Sequence, residues 1–214
     1  MTKDNDVNTG LKDKKLIDVE ALYRLRDAAR ERGPLTDAEL ERQAREDYGF
    51  TTVAPLKTEK LRLRADVRAM CTPDKCRMCG HTWTCPPGCG PLEEIDPKIR
   101  RFRRGLLLVH VADLADERDY ATMRRTGEIH KDAVMRFYAN VLGTYPDAVA
   151  LSAGSCSFCR DCTYPDDPCR YPEFAYPSLE ACGMMVSDVC EACGVPFYTG
   201  KNNKMTFCSG ILLD

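Results

Sequence analysis

Histidine and tryptophan are scarce in this chain, three and one residues in 214, and no apolar run approaches the roughly 20 residues that a membrane-spanning helix needs. So little histidine removes the commonest nitrogen ligand for zinc and the commonest general base. Residues 1–15 are polar and of mixed charge, without the apolar stretch of a secretory leader. There is also no glycine-rich phosphate loop, no dinucleotide fingerprint and no nucleophile paired with a base. The formal net charge of −2 supplies no global field for nucleic acid, and aromatic residues are not interleaved with basic ones. These absences describe a soluble, cytoplasmic protein with no membrane or nucleic-acid partner.

Cysteine, by contrast, is abundant, with 13 residues, most of them in two dense clusters. A disulfide framework is disfavoured by the odd count and by the reducing cytosol. The second cluster places Cys156, Cys159, Cys162 and Cys169 in a C-x2-C-x2-C-x6-C run. A loop wound around a cubane offers one sulfur per short turn, so this spacing points to [4Fe-4S]. Small residues around Cys156 leave backbone N–H groups free to approach cluster sulfurs, and Phe158 is suited to excluding water. Structural zinc, the main competitor, more often pairs two C-x2-C knuckles or includes histidine.

The first cluster holds five candidate ligands, Cys71, Cys76, Cys79, Cys85 and Cys89, one more than a cubane needs. Cys76, Cys79 and Cys85 are the strongest, because C-x2-C followed by Cys85-Pro86 resembles the turn that closes ferredoxin sites. The fourth is Cys71 or Cys89. The C-x4-C-x2-C start is not the C-x3-C-x2-C spacing of radical S-adenosylmethionine enzymes. His81 reads as an outer donor or an exposed loop residue, and Trp83 as a shield for the metal or as local packing. Cys182, Cys190, Cys193 and Cys208 admit three readings: a redox dithiol at Cys190 and Cys193, a third metal site completed by Cys182 or Cys208, or buried thiols. His110 and His130 read as packed residues.

The remaining pattern predicts an α+β fold: a small mixed sheet, a long packing helix, two cysteine-rich metal-binding loops and an N-terminal helical extension over residues 1–60, with the cysteine-rich domain spanning 61–214. Val19, Leu22, Leu25 and Ala28 recur at helical spacing before Gly33-Pro34, predicting a helix over 16–32. Thr36 and Glu39 form a capping box for a second helix. Period-two alternation predicts a half-exposed strand over 61–67. Buried strands are expected over 105–111 and 148–151, with a long helix between them whose stripe includes Tyr120, Met123, Gly127, His130, Val134, Phe137 and Val141. Short helices over 178–184 and 188–192, then closing strands over 195–198 and 205–213, complete the chain.

Jointly, Cys76-x2-Cys79, Trp83-x-Cys85-Pro86-Pro87, Gly154-x-Cys156-x2-Cys159-x2-Cys162, Pro168-Cys169-Arg170-x-Pro172 and Pro177-Ser178-x-Glu180-Ala181-Cys182-Gly183 resemble a family of predicted metal-binding proteins, domain of unknown function 2284, from about Leu61 onward. The resemblance implies metal binding and no particular reaction. Gly183-Met184-Met185-Val186 departs from the family's Gly-Ile-Asp-Val, Cys190 and Cys193 look additional, and the helical extension is particular to this chain. Three functions follow as expectations. The first is a carrier of two [4Fe-4S] clusters that delivers electrons to a protein redox partner, docked through the basic segment Lys98, Arg100, Arg101, Arg103 and Arg104. The second is an iron–sulfur enzyme with an open-site cluster, and the third a zinc-stabilised interaction module.

Overall fold

The computed structural model describes residues 17–214; the polar leader and the expected helix start at Leu16 lie outside the described residues. Helix α1 (Val19–Arg32) opens where the Asp18 side chain accepts the Ala21 N–H, and ends at Gly33, whose φ is +87°. Helix α2 (Asp37–Glu46) carries the complete Thr36/Glu39 capping box. The chain then forms β1 (Thr52–Lys57), α3 (Ala65–Ala69), α4 (Leu92–Arg100), β2 (Arg104–Asp113), α5 (Tyr120–Thr144), β3 (Val149–Leu151), α6 (Val186–Ala192) and β4 (Lys204–Leu213).

The four strands form one sheet in the order β1-β2-β4-β3. Every pairing between them is antiparallel, where a mixed sheet was expected. The α+β class stands. Both faces of the sheet are covered, which is why β2 reads as an almost continuous apolar run. On one face Val53, Leu106, Leu108, Ala150 and Ile211 pack with α1, α2 and the α5 residues Val134, Phe137 and Val141. On the other Leu56, Leu107, Val109 and Leu212 pack with Ile95 and Ile99 of α4 and Val189 and Cys190 of α6. Each such fully buried aliphatic or aromatic side chain contributes about 1.5–3 kcal/mol. Helices α1 and α5 approach closely at Gly143, where an added Cβ would lie 2.2 Å from the Arg26 carbonyl oxygen.

Three expected elements differ. Residues 61–64 are extended but join no strand: Leu61 and Val67 are buried, and the Arg64 N–H donates to the Gly183 carbonyl at 2.8 Å. The alternation there reflects a chain crossing the surface and entering α3. The sheet's edge strand is instead β1, inside the stretch read as helical, where Pro55 is tolerated because only one side is paired. Residues 178–184 make a series of turns rather than a helix, with Cys182 N–H bonded to the Ser178 carbonyl and Gly183 at φ +74°. Residues 195–198 form no ladder; the isolated Thr199–Met205 bridge and the Tyr198 N–H bond to the Thr206 hydroxyl seat them beside β4. Helix α4 was not foreseen, although Leu92, Ile95 and Ile99 lie at helical spacing.

Candidate metal centre

The first cysteine loop leaves α3 through tight turns. Asp74 and Arg77 adopt left-handed backbone (φ +45° and +56°), and the Asp74 carboxylate accepts the Cys79 N–H at 2.9 Å, which holds the Cys76–Cys79 turn. The Gly80 N–H and the Cys79 thiol both reach the Pro86 carbonyl, at 2.8 and 3.3 Å. The Cys89 N–H closes a turn on the Cys85 carbonyl. At the far end the Arg68 guanidinium donates to the Gly90 carbonyl and, at 2.8 Å, to the Ala181 carbonyl, tying the loop to the turns at 178–184.

All five thiols of this loop share one neighbourhood. Burial pushes the Cys71 thiol up, and the charges of Cys79, Cys85 and Cys76 push it further. Cys85 is raised by burial against hydrogen bonds from the Thr82 and Thr84 side chains, with Cys76 and Cys89 adding to the rise. Cys89 is raised by burial, opposed by Arg68. Cys71 and Cys89 therefore both lie within electrostatic reach of the other thiols of the loop, which leaves either as a candidate fourth ligand. Cys182 joins this side too: wholly buried, it is pushed up to about 12 by desolvation and then by Cys89.

The second loop is fastened to the core. Phe158 is buried and stacks on Phe174 (5.5 Å between centroids, 13° between planes), with Tyr171 tilted against it at 5.4 Å. Burial raises Cys156, the Phe158 N–H opposes this, and Cys159, Cys169 and Cys162 add to it. Cys169 behaves alike, raised by burial and by Cys162 and Cys159. Arg170 engages the Cys159 thiol, which raises the guanidinium further, and donates to the Asp161 carbonyl at 2.8 Å.

The two loops meet. The Cys156 N–H donates to the Thr84 hydroxyl at 3.3 Å, the Trp83 indole N–H donates to the Asp167 carbonyl at 3.1 Å, and the Trp83 and Tyr164 rings pack edge-on at 5.0 Å. Gly88 permits the approach, since a Cβ there would lie 2.9 Å from the Tyr164 ring and 2.5 Å from the Thr82 carbonyl oxygen. Between the loops lies a cavity of about 330 Å³ lined by Cys156, Cys159, Cys162 and Cys169 and by Trp83 and Thr84. His81, exposed, lies at its margin.

Among the described residues no three Cys, His, Asp or Glu side chains already stand as a coordination shell. The donor set nonetheless fits a cation. Three thiols of the first loop and two of the second are desolvated and pushed up further by neighbouring thiols, so bare thiolates there are unfavourable; a bound cation removes both penalties. Elsewhere, Cys190 and Cys208 touch at 3.8 Å between sulfurs, and Cys193 beside them is pushed up to about 11 by burial and by Cys190. Cys208 rather than Cys182 thus faces Cys190. His110 and His130 are packed: their Nδ1 atoms lie 3.0 Å apart, His130 Nε2 lies 2.9 Å from the Ser209 hydroxyl, and burial drives His130 down to about 3. Within the basic segment Arg100 binds Asp96 and the Thr58 and Leu61 carbonyls, and Arg104 binds Asp37, leaving Lys98, Arg101 and Arg103 exposed.

A family model described as predicted metal-binding protein (DUF2284) matches residues 54–213. The chain belongs to that family. The match takes in both cysteine loops and most of the sheet, leaving α1 and α2 outside, and the family's description supplies metal binding without a reaction. Searches of the curated proteins and of the solved structures find no match. Among the described residues no helix is long and apolar enough to cross a membrane.

Spacing alone could not find Asp74, Arg68 or the place of Cys182 beside Cys89. Asp74 left a faint signal, a turn-favouring residue two positions before the C-x2-C pair.

Proposed function

We propose that this metal-binding protein carries two [4Fe-4S] clusters, one in each cysteine loop, and passes single electrons to a protein partner. The observation that carries the proposal is the 330 Å³ cavity that all four second-loop cysteines line together with Trp83 and Thr84 of the first loop. A cavity of that size beside four thiols has room for an iron–sulfur cluster as well as for a single zinc ion, and the C-x2-C-x2-C-x6-C spacing favours the cluster. Cys156, Cys159, Cys162 and Cys169 hold the second centre. Cys76, Cys79 and Cys85 hold the first, with Cys71 or Cys89 as the fourth ligand. Bound there, such clusters exchange one electron at a time, at potentials that span about −700 to +450 mV across proteins.

The chain's own residues do the rest. Trp83 and Tyr164 hold the loops together and limit water, and Arg170 places positive charge beside Cys159. Lys98, Arg101 and Arg103 offer an exposed basic edge to an acidic redox partner. The test is purification without oxygen, followed by iron, zinc and acid-labile sulfide counted per chain. Brown protein with about eight irons and about eight sulfides is expected. Colourless protein holding zinc and no sulfide would replace this reading with a zinc-stabilised module.

A further inference from the structure

Away from both cysteine loops, the apolar cluster beneath α6 buries two cysteines whose sulfurs touch. Cys190 of α6 is fully buried, Cys208 of β4 is 3% exposed, and their Sγ atoms lie 3.8 Å apart. Buried thiols commonly serve as small hydrophobes, a role that needs no sulfur to face another. Here a helix and a strand aim the two at each other, and the chain between them is closed on itself. The Val195 N–H donates to the Cys190 carbonyl at 2.9 Å, the Thr206 N–H to the Tyr198 carbonyl at 2.9 Å and the Gly200 N–H to the Lys204 carbonyl at 2.8 Å. Cys208 is fixed further by its place opposite Val109 in the ladder between β2 and β4. Contact makes the two thiols unequal. A hydrogen bond from Cys208 holds Cys190 below the usual thiol value against the effect of burial, and the same bond, then burial, pushes Cys208 up. Cys190 is thus the readier thiolate.

We propose that Cys190 and Cys208 form a dithiol site that a low-molecular-weight disulfide of the glutathione class converts, reversibly, into a bond between α6 and β4. The Cys190 thiolate attacks one sulfur of the small disulfide, breaks its S–S bond and releases one small thiol. Cys208, giving up its proton, then attacks the Cys190 sulfur of the mixed disulfide, forms the Cys190–Cys208 bond and releases the second small thiol. Two electrons pass to the small disulfide, and the two cysteine protons end on the two released thiols. Helix α6 spans only 7 residues and has no side-chain cap at its N-terminus, so its local opening admits the reagent. In a reducing compartment the pair rests as thiols and is oxidised transiently. The site is independent of what the two cysteine loops hold.

The full chain, prepared without oxygen and with its metal, is equilibrated in reduced and in oxidised glutathione; free thiols are then alkylated and linked peptides mapped by mass spectrometry. Oxidised glutathione is expected to join the Cys190 and Cys208 peptides, with a loss of about two alkylatable thiols per chain, and reduced glutathione to restore both. Cys208→Ala should carry glutathione on Cys190 in place of that bond. Should the variant fail to fold, the map of the unaltered chain decides alone. Cys190 and Cys208 both alkylated in either buffer, or a Cys190–Cys193 bond with Cys208 free, overturns the proposal. Iron, sulfide and zinc are counted on the same samples: zinc without sulfide removes the cluster reading, while the dithiol site is still judged by its own peptides.

Discussion

Among the described residues between Val67 and Ile95 none buries an apolar side chain, whereas the second cysteine loop drives Phe158 and Phe174 into the helix-covered core. The first loop is shaped by hydrogen bonds from Asp74 and Arg68, by carbonyls that receive N–H groups, and by whatever its five thiols hold. The second has an aromatic anchor, Phe158 stacked on Phe174, set in the hydrophobic core. Two loops of like thiol density therefore differ in what orders them, and on the proposed reading the first would draw folding free energy from its metal as small metal-dependent domains do.

Removing metal should separate the loops most sharply. After anaerobic chelation, limited proteolysis and amide exchange are expected to open residues 71–90 first, while the Phe158 and Phe174 region stays protected. Simultaneous loss from both loops would break the distinction.

Acid should act on the sheet core rather than on either loop. His130 is buried neutral with its value depressed to about 3 against an ordinary value of about 6.5, so the unfolded chain binds the extra proton. Stability is then fully present above about pH 6.5 and falls as pH drops toward 3, by of order a few kcal/mol. In metal-free protein a His130→Gln variant should flatten this acid limb in chemical denaturation; an unchanged slope would remove His130 as its source.

Phe158→Ala is expected to cost about 3–5 kcal/mol in both metal-free and loaded protein, because the ring leaves a cavity beside Phe174 and Tyr171. Melting curves of both forms check it. The smallest effect belongs to the contact between loops: Trp83→Phe removes the donor to the Asp167 carbonyl and should cost about 0.5–1.5 kcal/mol while leaving the metal count unchanged.

How much of this was legible in the sequence follows the range of the interactions. The Thr36 cap, the Gly33 stop, the α5 stripe and the apolar runs of β2 and β4 are local signals, and each led to its element. The strand at Thr52–Lys57 carries Pro55 and is recognised only once β2 lies beside it. Residues 61–67 alternate because Leu61 and Val67 point inward on an irregular path, a pattern that period two cannot tell from a strand. Helix α4 hid behind Pro97 and its basic end. At the site, cysteine spacing pointed to candidate ligands within each loop. It could not say that the loops touch through Trp83, Thr84 and Tyr164, or that Cys182 lies by Cys89. Those depend on segments about 70–110 residues apart meeting in the folded chain, for which no local pattern exists.

The most direct measurement is iron and acid-labile sulfide per chain, air-free, in Cys159→Ala beside the unaltered protein. Two independent centres require the count to fall by half, from about eight of each to about four, with the first loop still protected from protease. An unchanged count, a fall to zero, or neither element in the unaltered protein would contradict two separate clusters.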